Sequence, residues 1–424
     1  ELSSNVYGKE HPDYALCLGN LATVYDDLGN FSKALELEKK CLMLREKIFG
    51  KEHPDYALSL NNIAASYANL GDFSKALEFD LESLSIMERI QGKEHPSYAR
   101  SLYNAGNKYN QIKKYNESYD FLSKYQELAL SRFRLMEKNL NANLIMESYN
   151  FLIEDYQTLF NISKKLGSSI KIKDQYNKLS LLKGRELSRS NSMFSAIYKS
   201  NEKSLISLYE NWISINKKIS ICYESSLKER KNLDLDLNKL QKKADDLERQ
   251  LTQLSSDFVP YQREYLFNDI VSFLEFDEVY IDIVNIPQND YGEDEVDSYY
   301  AYLIKRGDSI PELISLGSDS SLNIIYNYYS NYTKERPSGY DISYEDEVYG
   351  NICYENFWSK LDLYLAGVST IYFSPEGVYS KINPNVLYDS TTKNFLIDKY
   401  EMVYVSNVED FVHQKENIQL YERP

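Results

Sequence analysis

Histidine and cysteine are scarce, with four of each in 424 residues. The cysteines, Cys17, Cys41, Cys222 and Cys353, lie far apart and form no CxxC pair. That spacing argues against a Cys/His metal site and against a disulfide framework, so no metal is expected and a reducing cytoplasm is the expected compartment. No apolar run reaches the roughly 18 to 20 residues of a membrane span, and no membrane partner is expected. Basic residues are in deficit: 48 Lys+Arg face 64 Asp+Glu, a formal charge of −16. Neutralising phosphates takes clustered Lys and Arg, so no direct nucleic-acid partner is expected. Neither GxxxxGK[ST] nor GxGxxG occurs, which removes the usual phosphate-cradling loops, and no cofactor is expected. What is abundant is tyrosine, with 39 residues, alongside an apolar fraction of 43%. That is enough to build cores and interfaces from amphipathic rings. The length suggests two or three domains.

Self-similarity organises the N-terminal third. Gly8-Lys9-Glu10-His11-Pro12 recurs at Gly50–Pro54 and again at Gly92–Pro96. Residues 8–49 and 50–91 share 24 identities over a period of 42. A fixed period of this size means stacked supersecondary units, here of two helices each. Pro12, Pro54 and Pro96 suit the first helical turn, where a missing N–H costs nothing. Gly29 and Gly71 suit the turn between helices. Ala22, Ala64 and Gly106 leave room for close helix contact. The resulting pattern, LxxLAxxYxxLGxFxKAL, resembles the tetratricopeptide repeat in its long, kinesin-light-chain-like form. The resemblance spans 1–133, as repeats 8–49, 50–91 and 92–133, the third degenerate after Tyr115. Residues 1–7 match the end of a preceding repeat, so the chain is expected to begin inside a longer solenoid.

Stacked first helices are expected to line a groove. Asn20, Asn62 and Asn104 recur at one position, and a carboxamide there can both donate to and accept from an extended peptide backbone. Asp26, Asn61, Asn69, Tyr103 and Asn107 fall on the same face. The competing reading makes the repeated asparagine a purely structural residue bonded to the adjacent turn. His11, His53 and His95 also recur, but one repeat width apart. That is about 10 Å, too far for shared metal coordination at about 2 Å, so they are read as structural.

The pattern stays helical over 134–190 as degenerate repeats. Within 191–257 two heptad series follow: Leu205, Leu208, Trp212, Ile215, Ile219, Cys222, and then Leu233, Leu237, Leu240, Ala244, Leu247, Leu251, Leu254. With a polar connection near 225–232, they predict an antiparallel coiled-coil hairpin, with Cys222 an inert thiol on its seam. Pro260 is expected to end the helix.

From 264 to 424 strands alternate with helices, which argues for an α/β domain. Strands are predicted at 279–286, 299–304, 312–317 and 370–374, and a helix at 319–334. Loops are predicted for acidic Asp290–Asp297 and for polar 336–349. Tyr299–Ile304, Ile314-Ser315-Leu316-Gly317 and Ile371–Asn383, with its Ser374-Pro375-Glu376-Gly377, resemble the first half of a CHAT domain, a caspase-like fold that follows tetratricopeptide repeats. The overall class is therefore mainly α, a solenoid and hairpin followed by a partial α/β caspase-like domain. The resemblance implies a cysteine endopeptidase whose His and Cys lie beyond this chain. The missing catalytic half would be supplied in cis or as a second chain. Cys353 and His413 are the only candidates for a dyad within the region, in the wrong chain order for the family, and Cys353 reads as a buried helix thiol. No catalytic residue is assigned. The alternative is a non-catalytic adaptor or pseudo-protease that binds a protein or peptide in the repeat groove.

Overall fold

The structure is a computed structural model that describes residues 10–138, 142–183, 202–225, 227–233, 235–254, 265–286, 298–334 and 344–421. It divides into two compact units, one made of 1–166 with 186–262 and the other of 167–185 with 263–424. The stretch read as degenerate repeats, 134–190, is therefore shared out at Leu166/Gly167.

In the first unit the repeats form helix pairs: α1 (Pro12–Asp27) with α2 (Phe31–Phe49), α3 (Pro54–Asn69) with α4 (Phe73–Gln91), and α5 (Pro96–Gln111) with α6 (Tyr115–Lys138). Each first helix opens on its proline, and the preceding histidine caps it. The Nδ1 atoms of His11, His53 and His95 accept from the N–H groups of Asp13, Asp55 and Ser97 at 3.2, 3.1 and 3.1 Å. An acceptor there satisfies one of the orphan donors of a helix start, which gives the repeated histidines their role. Gly29 and Gly71 hold positive φ at the turns, and the degenerate third repeat forces Lys113 to do the same at φ 61°. Ala22, Ala64 and Gly106 are buried where the pairs cross. A Cβ on Gly106 would meet Leu122 Cγ at 2.7 Å. Ser118, in the place of Ala34 and Ala76, stays buried by donating to the Gly106 carbonyl at 2.8 Å.

Helix α7 (Ala142–Leu166) extends the stack beside α6. Helix α9 (Lys203–Glu224) packs on α11 (Leu237–Leu254), the expected hairpin. Its seam holds Leu205, Trp212, Ile215, Ile219, Ala244, Leu247 and Leu251, with Tyr209 fully buried and Leu208 only at the margin. Leu233 is a correction: it lies before α11 and is exposed, so the second series starts at Leu237. The polar connection contains a short helix, α10 (Leu227–Asn232). Its buried Arg230 donates to the Ser225 carbonyl and pairs with Glu94 at 3.4 Å. Cys222 is buried, and burial raises its thiol pKa, as expected of an inert thiol.

The second unit includes α8 (Ser169–Leu182), α12 (Phe267–Phe273) and a five-stranded sheet. The strands are β1 (Glu278–Asn285), β2 (Tyr299–Lys305), β3 (Glu312–Gly317), β4 (Thr370–Ser374) and, after the small β5 (Tyr388–Asp389) and β6 (Asn394–Phe395) pair and the short helix α16 (Leu396–Lys399), β7 (Glu401–Tyr404). The order is β3-β2-β1-β4-β7, with β1, β4 and β7 parallel and β2 antiparallel to both its neighbours. The predicted strands and the helix α13 (Asp319–Lys334) appear where expected. The acidic segment Asp290–Asp297 and Pro260 lie outside the described residues. The predicted loop 336–349 is corrected in part, because α14 (Tyr344–Phe357) begins inside it, followed by α15 (Ser359–Asp362).

Strand alternation makes two faces. Val279, Ile281, Ile283, Leu303, Ile371 and Phe373 share one, packed with Cys353, Phe357 and Trp358 from the α14 side. The other carries Tyr280, Asp282, Tyr302 and Tyr372, met by Tyr176 of α8 and by Phe411 of α17 (Val408–Tyr421). Asp282 is wholly buried there. Lys183, at the end of α8, gives its ammonium to Asp282 at 2.5 Å, to the Ile283 carbonyl at 2.6 Å and to Glu376 at 3.2 Å. Burial works against its charge, yet Asp282 and Glu376 outweigh that and hold the lysine above its ordinary pKa. Replacing Lys183 by Met strands a buried carboxylate and is expected to cost about 3–5 kcal/mol. Adding Asp282→Leu recovers most of it. Urea denaturation of the three proteins measures both effects.

Candidate functional site

The repeated asparagines stand on the first helices of successive repeats, on α1, α3 and α5. Asn20 is exposed, and Asn61, Asn62, Asn104 and Asn107 are half-buried. Asn69 bridges two repeats, donating to both Asp26 oxygens at 2.9 and 3.0 Å. The Tyr103 ring, 38% exposed, leans on Tyr125 of α6 with centroids 5.1 Å apart. The side chains on α1, α3 and α5 thus form a row of carboxamides with an aromatic at its third-repeat end.

Behind that row lies a feature the sequence pattern did not single out. Asn62 donates to Oε1 of Glu38 on α2 at 3.1 Å. Glu38 is only 3% exposed, and its other oxygen is buried with no hydrogen-bond partner. Asp80, on α4, occupies the same place one repeat on. It is 1% exposed, and neither of its oxygens has a hydrogen-bond partner. In the third repeat the position is Leu122, an ordinary core residue. Burial is the main cause that pushes both carboxyls up to about 7, against Asn62 and Arg45 beside Glu38 and against Lys108 beside Asp80. Arg45 lies near Glu38 but makes its hydrogen bonds to the Asp55 carbonyl and the Ser59 hydroxyl, both at 2.9 Å. The 42-residue period was the available signal: an acid at 38 and 80 answers to leucine at 122, a polar residue in a core register.

Among the described residues, the C-terminal unit does not bring Cys353 and His413 together. Cys353 packs on one face of the sheet among Phe357 and Trp358. His413 lies on α17, the helix that covers the other face, with its ring edge-on to Tyr265. The sheet stands between them. Burial alone pushes the Cys353 thiol up to about 12, the reverse of an activated nucleophile. Lys183 and Glu376 form a second charge cluster around the buried Asp282, but every ammonium hydrogen there has an acceptor, so it acts as a clamp. Among the described residues no group of His, Cys, Asp and Glu is arranged to hold a metal ion, and no helix is long and apolar enough to cross a membrane.

Comparison with known proteins agrees with the repeats. Residues 15–55 and 55–131 each match a family model described as tetratricopeptide repeat. These matches lie within the N-terminal unit and do not reach the sheet. No curated protein matches the chain. Among solved structures, BtubC (BKLC) from P. vanneervenii is 19% identical, with a TM-score of 0.36, over 43% of this chain and 68% of that one. The nearly identical TPR-like repeats of a putative kinesin light chain from Podosopora anserina are 19% identical, with a TM-score of 0.29, over 46% of this chain and 99% of that one. Aspartyl phosphate phosphatase F from Bacillus subtilis is 12% identical, with a TM-score of 0.28, over 60% and 63%. The chain therefore carries tetratricopeptide repeats over 15–131, a class of structure that suggests protein–protein interaction.

The raised carboxyls have a consequence for stability. Between the ordinary carboxyl range near 4 and a folded pKa of about 7, the folded state keeps protons that the unfolded state has released. These groups therefore favour folding most at low pH, and their penalty grows as pH rises through that window. The double variant Glu38→Gln, Asp80→Asn escapes the penalty. Its advantage over the unaltered protein is expected to grow between about pH 5 and about pH 8, as read from urea midpoints at each pH.

Proposed function

We propose that the chain is a protein-recognition module whose repeats hold an extended segment of a partner across Asn20, Asn62 and Asn104. The observation that carries this reading is the carboxamide repeated every 42 residues on successive first helices, with Asn62 anchored from behind by Glu38. Asn61, Asn69, Tyr103 and Asn107 complete the contact face. An amide fixed in orientation loses little entropy on binding and offers both a donor and an acceptor to a peptide backbone. The double variant Asn62→Ala, Asn104→Ala is expected to weaken partner capture by at least about 10-fold, with helicity unchanged by circular dichroism. Capture is read by affinity isolation of cross-linked partners and mass spectrometry. Partners retained at unaltered yield would sink the reading.

A second reading places this binding module in front of a CHAT-like cysteine endopeptidase. It is supported by the Ser374-Pro375-Glu376-Gly377 resemblance and by the character of β7. That strand is an edge of the described sheet, yet Met402 and Val403 lie half-buried on opposite faces and Tyr404 is 43% exposed. Apolar residues on both faces of a strand in a parallel run are the composition of an interior position. On this reading, further strands, in cis or from a second chain, cover β7 and bring the His/Cys dyad. Intact-mass analysis of the product of the complete gene should then find downstream sequence bearing a thiol that reacts with an iodoacetamide probe. A gene product without any such thiol would rule out the protease and leave the adaptor.

A further inference from the structure

The groove reading does not say what kind of segment it takes, and the charges around it do. Helices α1 and α3 contain no lysine or arginine, while α1 carries Asp13, Asp26 and Asp27 and α3 carries Asp55. Cations enter only at the third-repeat end, with Arg100 and Lys108 on α5. These two first helices therefore offer no cation of their own to a carboxylate, and two lysines of the second helices, Lys39 and Lys75, lie over the Tyr67 ring at 5.2 and 5.5 Å. Glu38 and Asp80 add to this bias. Each is a buried carboxyl that lacks a full set of partners, and Asp80 has none for either oxygen. A buried carboxyl short of hydrogen-bond partners costs stability, and two of them at one register of the repeat suggest a use.

We propose that the groove selects an extended partner segment bearing lysine or arginine, seated over Asn62, where Glu38 lies behind, and running toward Asn104. This rests on the groove reading. The chemistry runs through the asparagine. The Asn62 Nδ2–H donates inward to Glu38, which leaves the Asn62 carbonyl oxygen to accept from an ammonium or guanidinium on the groove side. Such a chain of hydrogen bonds polarises in one sense, and it strengthens as the carboxyl behind it ionises. Asn104 and Asp80 hold the corresponding positions one repeat on, where neither Asp80 oxygen has a hydrogen-bond partner.

Proton linkage follows from the same arrangement. In the free protein both carboxyls are held up to about 7, with Asn62, Arg45, Cys41 and Asp26 around Glu38 and Lys108 facing Asp80. A cation bound over the asparagines favours the ionised forms and expels protons. Affinity for a basic segment therefore falls as pH drops, by roughly 10-fold between about pH 8 and about pH 6.

The test uses the full chain as bait for a phage-displayed library of random dodecapeptides. The most enriched sequence lacking histidine is then made with a fluorescein label. Its binding is followed by anisotropy at pH 6 and pH 8. The expected result is enrichment of Lys and Arg, and binding that weakens about 10-fold at the lower pH. Binding to the Glu38→Gln, Asp80→Asn protein is expected to be weaker at pH 8 and flat with pH. Selected peptides that are neutral or acidic, yet lost on Asn62→Ala, Asn104→Ala, would overturn the basic preference and leave the groove standing. A basic peptide whose binding does not respond to the carboxyl variant or to pH would also overturn it. Peptides indifferent to the asparagine variant, or no enrichment at all, would take the groove reading down as well.

Discussion

Close approach of paired helices is the constraint on which the repeat unit rests. Ala22, Ala64 and Gly106 are small because another helix crosses there, and at Gly106 even one added carbon meets Leu122. With the crossings fixed, the residues one turn away have no freedom to move apart. Glu38 and Asp80 are therefore held in the interior, and Asn62 is held against Glu38. The N-terminal histidine caps work at the other end of the same helices. They let each first helix start at the same place, so that a residue at one position faces the same surroundings 42 residues later.

Much of this was legible from the sequence. Proline at the start, glycine at the turn and a small residue at the crossing each act locally, and a period of 42 made them visible together. The strands were legible for a similar reason: residues 279–286 alternate, and Ile371–Phe373 reads as a buried apolar run. What escaped depends on tertiary surroundings. Lys113 takes a glycine's conformation because the repeat around it imposes one. Tyr209 displaced Leu208 from the centre of the hairpin seam because ring volume filled the space. Helix α14 begins in an acidic stretch whose composition suggested a loop, and its packing on the sheet through Cys353, Phe357 and Trp358 decided otherwise.

The candidate groove shows the same division. Asn20, Asn62 and Asn104 announced themselves by recurrence. The carboxyls behind them did not, because a charged residue on an amphipathic helix normally reads as its wet face. Only the packed structure shows that these two are dry. The excluded Cys353/His413 pair was weak by chain order alone, and the sheet between the two residues supplies the physical reason.

Helix α8 is bracketed on both sides by sequence that belongs to the repeat unit, yet its Lys183 satisfies a carboxylate 99 residues further along the chain. On a ribosome adding about 5–20 residues per second, that lysine waits roughly 5–20 s for Asp282 to emerge. For that interval Tyr176 and its apolar neighbours on α8 have no sheet to cover them. The repeats before it can already have stacked, since each needs only its neighbour. Synthesis therefore passes through a stage in which stacked repeats are followed by a helix whose covering sheet has not yet been made.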